Sequence, residues 1–332
     1  MKAIVAKITA CFISIILLLS GAVHGSTAEK AEKLRVVSYL VINNLADAER
    51  INPSHFTDLT DVILFGGLAS YNGDSEVILC EDFDKIIDHV KSLDTDGHLR
   101  WQLNLGGIAE GDQKMAWRKA FHGKELPKNI RATLEQYDLD GVFFDYEFPM
   151  EWDAKLDFSI FLINLRKELG GDFHIGAALQ PWCARFLPSA IRAIDMVELM
   201  SYDNWDEDGF HATLELAKKD VKDMVKLGYK LSQIDLGVPF YARPTTGEAL
   251  WYDYAGYYDK LDDKGLYYDA NRDLTFSFNR PELVYEKTAW AIETGLGGMM
   301  IWHYNCDIPA ENEQSLFHAI TRAKTELAGE NS

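Results

Sequence analysis

Eight short apolar segments alternate with amphipathic helical stretches, and that rhythm breaks only once. One of the apolar segments carries two carboxylates only one residue apart, Asp145 and Glu147. These observations predict a (β/α)8 barrel, a TIM-type α/β fold, with a short insertion between strand seven and its helix. The chain has 332 residues, 47% of them hydrophobic and 12% aromatic, which is enough for one large core.

The strand candidates, in order, are LRVVSYLV (34–41), DVILFGG (61–67), LRWQLNLGG (99–107) and DGVFFDYE (140–147). FHIGAAL (173–179), MVELMSYD (196–203), IDLGVPFY (234–241) and GGMMIWHY (297–304) follow. Near-continuous apolar runs of this length suit strands covered on both faces, as in a parallel sheet. Between them, DFDKIIDHVKSL (82–93) places Phe83, Ile86, Ile87 and Val90 at helical spacing. The stretches 155–169 and 212–228 repeat that pattern. NRPELVYEKTAWAIETG (279–295) offers Asn279 as a cap, Pro281 in the first turn and Gly295 as a stop. The break falls between Tyr241 and Pro281, too long for an ordinary strand–helix loop. It is rich in Tyr, Asp and Gly, and is read as a small insertion of about residues 244–278 on the active face.

Residues 1–25 read separately. Lys2 and Lys7 precede an apolar run from Ile8 to Leu19, and small residues follow up to Gly25. This is the pattern of a secretory signal, and the run is short for a membrane span. A signal peptide at 1–25 and a single domain at 26–332 are expected, with the mature protein secreted to the periplasm or the medium. Loss of Lys2 and Lys7 leaves 31 basic against 52 acidic residues, a net charge of −21. Such a surface repels nucleic acid and anionic lipid and suits a neutral or cationic polymer. Cys80, Cys183 and Cys306 remain. They are either buried thiols or one disulfide with an odd partner. The nine His residues form no ligand spacing, and neither Gly pair is a phosphate loop, so no metal or cofactor is expected.

Strand four carries the chemistry. Side chains alternate between faces, so Phe143, Asp145 and Glu147 share one and Val142, Phe144 and Tyr146 the other. In a barrel the first set faces the lumen, and its last members stand at the C-terminal mouth where such folds react. Two carboxyls held close cannot both ionise easily, which raises one of them toward a general acid. The alternative is a structural cluster tied to backbone N–H groups or an arginine.

The segment DGVFFDYEFP resembles the DxxDxDxE signature of family 18 glycoside hydrolases, the chitinases and their relatives, with Asp140, Asp145 and Glu147 on three of its four acids. NLGG (104–107) resembles the family's strand-three SxGG, with Asn104 for Ser. MSYD (200–203), GVPFYAR (237–243) and GGMMIW (297–302) resemble the motifs of strands six, seven and eight. The resemblance implies substrate-assisted hydrolysis, in which the sugar's acetamido oxygen attacks the anomeric carbon. It implies Glu147 as general acid and base, Asp145 as holder of the acetamido N–H, and Tyr202 as donor to the acetamido carbonyl. Asp203, Met200, Trp302 and Arg243 would bind the sugar, with Trp302 as the floor, while Tyr39 and Phe65 line the mouth. Asp140 would support the strand. Trp182 and Arg185 either reach the cleft or pack on the surface, as do Trp205, Trp251, Tyr252 and Tyr254.

Phe143 departs from the signature, since most active relatives have Asp there, sharing a proton with the next acid. With Phe143, Asp145 is expected to be turned permanently toward Glu147. The implied substrate is a glycan containing N-acetylglucosamine: chitin first, the chitobiose core of N-glycans second, peptidoglycan third. The rival of another class is a chitinase-like lectin that binds without cutting. Retention of Glu147, Asp145 and Tyr202 favours an enzyme. A monomer is expected.

Overall fold

The structure is a computed structural model that describes residues 25–108 and 111–329. The expected signal segment lies, apart from Gly25, outside the described residues. Among the described residues no helix is long and apolar enough to cross a membrane.

Eight parallel strands close on themselves: β1 Arg35–Val41, β2 Asp61–Phe65, β3 Arg100–Ile108, β4 Gly141–Glu147, β5 His174–Leu179, β6 Met196–Leu199, β7 Ile234–Pro239 and β8 Gly298–Trp302. Each pairs with its sequence neighbour, and β8 pairs with β1. All eight fall where the apolar runs predict. β6 is shorter than expected because the chain leaves the sheet after Leu199 and Asp203 takes a left-handed conformation, φ 54°.

The helices Phe83–Ser92, Trp152–Leu169, Leu214–Leu227 and Pro281–Thr294 coincide with the predicted ones. Asn279 does not cap the last of these; Arg280 holds the cap position. The Asn279 amide instead donates to the His211 carbonyl and accepts from Lys287, deep in the protein. Gly295 does end the helix, at φ 81°.

The insertion is a four-stranded antiparallel sheet, ordered Tyr252–Asp253, Tyr241–Pro244, Leu274–Ser277, Leu266–Asp269. It takes in Tyr241–Pro244, so the predicted seventh strand divides. Its first part belongs to the barrel, and its last residue begins the insertion.

Two apolar regions result. The larger lies between strands and helices and holds Val142, Phe144 and Tyr146 with Phe158, Phe161 and Leu165. The smaller fills the lumen and holds Val37, Tyr39, Ile63, Phe143, Met196 and Met300. Strand alternation thus divides β4 between them, as its sequence requires. Asp140 stays at the bottom of the strand, where its carboxylate accepts from the Trp101 backbone N–H at 2.7 Å. The three described cysteines are free thiols, Cys183 and Cys306 buried and Cys80 half-buried.

Candidate active site

A cavity of about 500 Å³ opens at the C-terminal mouth of the barrel. Asp145 and Glu147 lie within it, at the end of β4. Gly106 on β3 makes the close approach of β4 feasible: a Cβ there would come within 2.4 Å of the Asp145 carbonyl oxygen, and φ is +130°. This gives the first glycine of the strand-three pair a physical reason.

Asp145 is only 3% exposed, and its carboxyl touches that of Glu147. Its Oδ1 has no hydrogen-bond partner. Burial, together with the charge of Glu147, pushes Asp145 well above the usual carboxylate range. Burial also raises Glu147, the Asp145 contact opposes that rise, and Asp203 adds to it. Two carboxyls in such contact are stable with a proton between them. Among the described residues no cation and no backbone N–H hydrogen-bonds either carboxyl, so the pair is not the arginine-tied structural cluster that the spacing left open.

Phe143 lies directly beneath, fully buried. Its ring fills the place of a side chain on the neighbouring strand: a Cβ at Gly176 would fall 2.0 Å from Phe143 Cε1. No third acid at that point draws Asp145 downward, and Asp145 faces Glu147.

Tyr202 lines the cavity beside the pair, and its hydroxyl is held protonated by burial and by the charges of Asp145 and Glu147. Asp203 is fixed from three sides. Tyr241 donates to it at 2.6 Å, Arg243 grips both oxygens at 2.7 and 2.6 Å, and the His211 ring stands 3.6 Å away. Burial works against the Asp203 charge, but the hydrogen bonds from Arg243 and Tyr241, with the His211 ring close by, outweigh it and hold the carboxyl well below its usual range. Asp203 is therefore a fixed negative charge and cannot be the proton donor.

Trp302 meets Tyr39 and Phe65 edge-on, at 5.1 and 5.0 Å between ring centroids. Tyr241 and Trp251 stack at 3.9 Å with planes 3° apart, and Arg243 lies over both rings. On the opposite wall Phe148 and Trp182 meet at 4.5 Å, and Trp182 is half exposed. Sugar rings offer apolar C–H faces to such surfaces, and an exposed aromatic ring loses little rotamer freedom on binding.

Of the residues named from sequence, Tyr39, Asp145, Glu147, Trp182, Met200, Tyr202, Asp203, Arg243, Trp302 and Trp251 line this one cavity. Phe65 does not; it stands behind Tyr39 and Trp302 and braces them. Arg185 is exposed elsewhere on the surface. Trp205 donates to the Pro244 carbonyl, and Tyr252 and Tyr254 pack within the insertion, so none of the three reaches the cavity. The wall also includes Ile108, Phe148, Ala178, Gln180 and Tyr241, which sequence reading did not single out. Tyr241 was findable, being two residues from Arg243 on one face of a short strand. Among the described residues no group of three or more His, Cys, Asp or Glu side chains could hold a metal ion.

A (β/α)8 barrel with an acid pair, a buried tyrosine and several aromatic side chains at its C-terminal mouth has its candidate site where such barrels keep their chemistry. The chain matches the family model for "Glycosyl hydrolases family 18" over residues 35–307, and it belongs to that family. It is 25% identical over 271 residues to endochitinase 1 of Metarhizium robertsii, covering 66% of this chain and 62% of that protein. It is 26% identical over 258 residues to chitinase 1 of Aphanocladium album, covering 62% of this chain and 59% of that protein. The chain thus spans about three fifths of the length of these relatives. Among solved structures it resembles the family 18 chitinase ChiB from the chitin utilization locus of Flavobacterium johnsoniae. That likeness has TM-score 0.73 and 25% identity, and covers 90% of this chain and 97% of that one. A chitinase from Bacteroides thetaiotaomicron shares the fold at TM-score 0.71.

Proposed function

We propose that this chain is a secreted, monomeric, retaining glycosidase that cuts β-1,4 bonds beside N-acetylglucosamine, with chitin or its oligomers as substrate. The observation that carries the reading is the mutual contact of Asp145 and Glu147 in the cavity, with the Tyr202 hydroxyl beside them. Glu147 is the more accessible acid, and its raised pKa suits proton donation to the glycosidic oxygen. Asp203 is locked by Arg243 and Tyr241. In the substrate-assisted scheme of the family, the nucleophile comes from the substrate. The acetamido carbonyl oxygen attacks C1 while the Glu147 proton passes to the leaving oxygen, and the C1–O bond breaks to give an oxazolinium. Water deprotonated by Glu147 then opens that ring with retention. Asp145 accepts from the acetamido N–H and balances the positive charge, and Tyr202 donates to the acetamido oxygen. Trp302 supports the distorted sugar.

The small size of the insertion favours a second enzyme reading. A four-stranded sheet builds one modest wall, which leaves space for branched substrates such as the chitobiose core of N-glycans or peptidoglycan. Incubation with N-acetylglucosamine oligomers and with a high-mannose glycan, followed by product analysis, separates these readings. Binding without cleavage of either substrate would favour the lectin.

A further inference from the structure

Of the residues that line the cavity, Asp203 alone has a left-handed backbone, φ 54°. Outside glycine such a conformation persists only where the surrounding structure holds it. Arg243 and Tyr241 grip the carboxylate, but the peptide group has a holder of its own. The Asp203 backbone N–H donates to His211 Nε2 at 3.0 Å. The donor is an amide, so Nε2 is the acceptor and the neutral ring carries its proton on Nδ1. Burial lowers the His211 pKa, Asp203 pulls against it, and the Lys287 and Arg243 charges add to the lowering. The ring therefore stays neutral and Nε2 stays free to accept.

This arrangement leaves Nδ1 buried without a hydrogen-bond partner. A phenyl ring would fill the same place, between Trp205 and Tyr241 at 5.9 and 5.4 Å, without that cost. What the imidazole supplies and a phenyl cannot is the acceptor for Asp203. His211 is fixed in turn through its own backbone. Its N–H donates to Ser277 Oγ at 3.1 Å, and its carbonyl accepts from the Asn279 amide at 3.1 Å. The next residue, Ala212, is also left-handed, φ 52°. Its N–H donates to the Asn204 carbonyl at 3.0 Å, and its carbonyl accepts from Lys287 Nζ. Lys287 donates as well to Asn279 Oδ1 at 2.6 Å. His211, Ala212, Ser277, Asn279 and Lys287 are all buried. The turn that presents His211 is thus held from behind by a buried polar cluster, and the ring holds Asp203.

We propose that His211 is a positioning residue of the site: its Nε2 anchors the Asp203 peptide and so fixes where the Asp203 carboxylate stands at the cavity. The consequence reaches the proton donor, because the Asp203 charge raises Glu147. The groups that face His211 are Asp203, Lys287, Arg243 and Tyr241. Those that face Glu147 are Asp145, Asp203, Tyr39, Tyr202 and Cys183.

This inference rests on the reading of Glu147 as the proton donor. The test is kcat/KM across pH on a chromogenic N,N′-diacetylchitobioside for wild type, His211→Gln and His211→Phe. Gln brings Oε1 close to the place of Nε2 and still accepts, while Phe keeps the ring shape and accepts nothing. His211→Phe is expected to lose roughly 10²-fold, the effect of a small misplacement in a site. Its alkaline limb moves to lower pH as Glu147 loses the neighbouring charge. His211→Gln keeps most of the rate and the wild-type limb. A packing role predicts the reverse order, so a rate for Phe equal to or above that for Gln overturns the proposal. A second measurement needs no turnover. ¹⁵N NMR of histidine-labelled wild type, with His211 assigned by its loss in His211→Gln, should show a neutral ring at pH 7 with the proton on Nδ1. A proton on Nε2, or an imidazolium, would overturn the proposal as well. Failure of the underlying reading looks different: wild type would cleave nothing, or Glu147→Gln would cleave as well as wild type, whichever tautomer NMR finds at His211.

Discussion

Replacing Phe143 by Asp tests how the site is organised. Phe143 is fully buried, and its ring occupies the space of the missing side chain at Gly176. Truncating a buried Phe costs about 3–5 kcal/mol. Here the new side chain is also a carboxyl, in the apolar lumen that holds Val37, Ile63, Met196 and Met300. Phe143→Asp is expected to lose about 4 kcal/mol, roughly 10 °C in Tm for a domain of this size. The new acid has a folded pKa raised by burial, so its penalty is least below its unfolded value of about 4 and grows as pH rises toward the folded value. The Tm deficit therefore widens from pH 4 to pH 8. The same acid adds a proton holder below Asp145 and moves the alkaline limb of the rate profile upward. A double-mutant cycle isolates the contact itself. Gly176→Ala destabilises the wild type strongly, because the new methyl overlaps the Phe143 ring, but is well tolerated beside Phe143→Asp. Thermal melts at several pH values and pH–rate profiles measure all of this. Wild-type stability together with an identical pH profile in Phe143→Asp would refute the account of why Asp145 faces Glu147.

Other expectations follow from the remaining contacts. Arg243→Leu removes the bidentate partner of Asp203. The depressed Asp203 pKa then rises, so the stability it supplies above its unfolded pKa is lost at higher pH as acid is added; melts between pH 3 and pH 7 should show an earlier acid loss than in wild type. Lys287 is buried beneath the insertion, donates to the Ala212 carbonyl and to Asn279, and has its pKa pushed down by burial to about 7. Its unfolded value is about 10.4, so the unfolded chain binds more protons in that window. The group therefore contributes a rise in stability from about pH 7 to pH 10, which Lys287→Met should flatten whatever its absolute stability. Trp182→Ala removes a half-exposed ring from the wall. It should weaken oligomer binding by roughly 1 kcal/mol, read by calorimetry, with Tm nearly unchanged.

The sequence carried the barrel because each strand is an apolar run bounded by polar helices, and a closed parallel sheet demands that pattern. It carried the acid pair because alternation alone assigns Phe143, Asp145 and Glu147 to one face. It did not carry the far wall. Phe148 and Gln180 come from loops and Ile108 from the very end of β3, where the course of the chain depends on packing, and isolated residues of these types have no periodic signal. Asn279 shows a local rule losing to a tertiary demand. It looks like a helix cap, yet the buried Lys287 needs an acceptor, and the side chain goes there.

The central claim is that Glu147 is the acid that breaks a bond beside N-acetylglucosamine. Its most direct test is hydrolysis of defined N-acetylglucosamine oligomers by wild type and by Glu147→Gln, with product analysis and calorimetric binding. Cleavage by wild type, with a loss of ~10²–10⁴-fold in the variant and retained binding, is the expected result. Equal cleavage by both proteins, or tight binding with no cleavage by wild type, would contradict it.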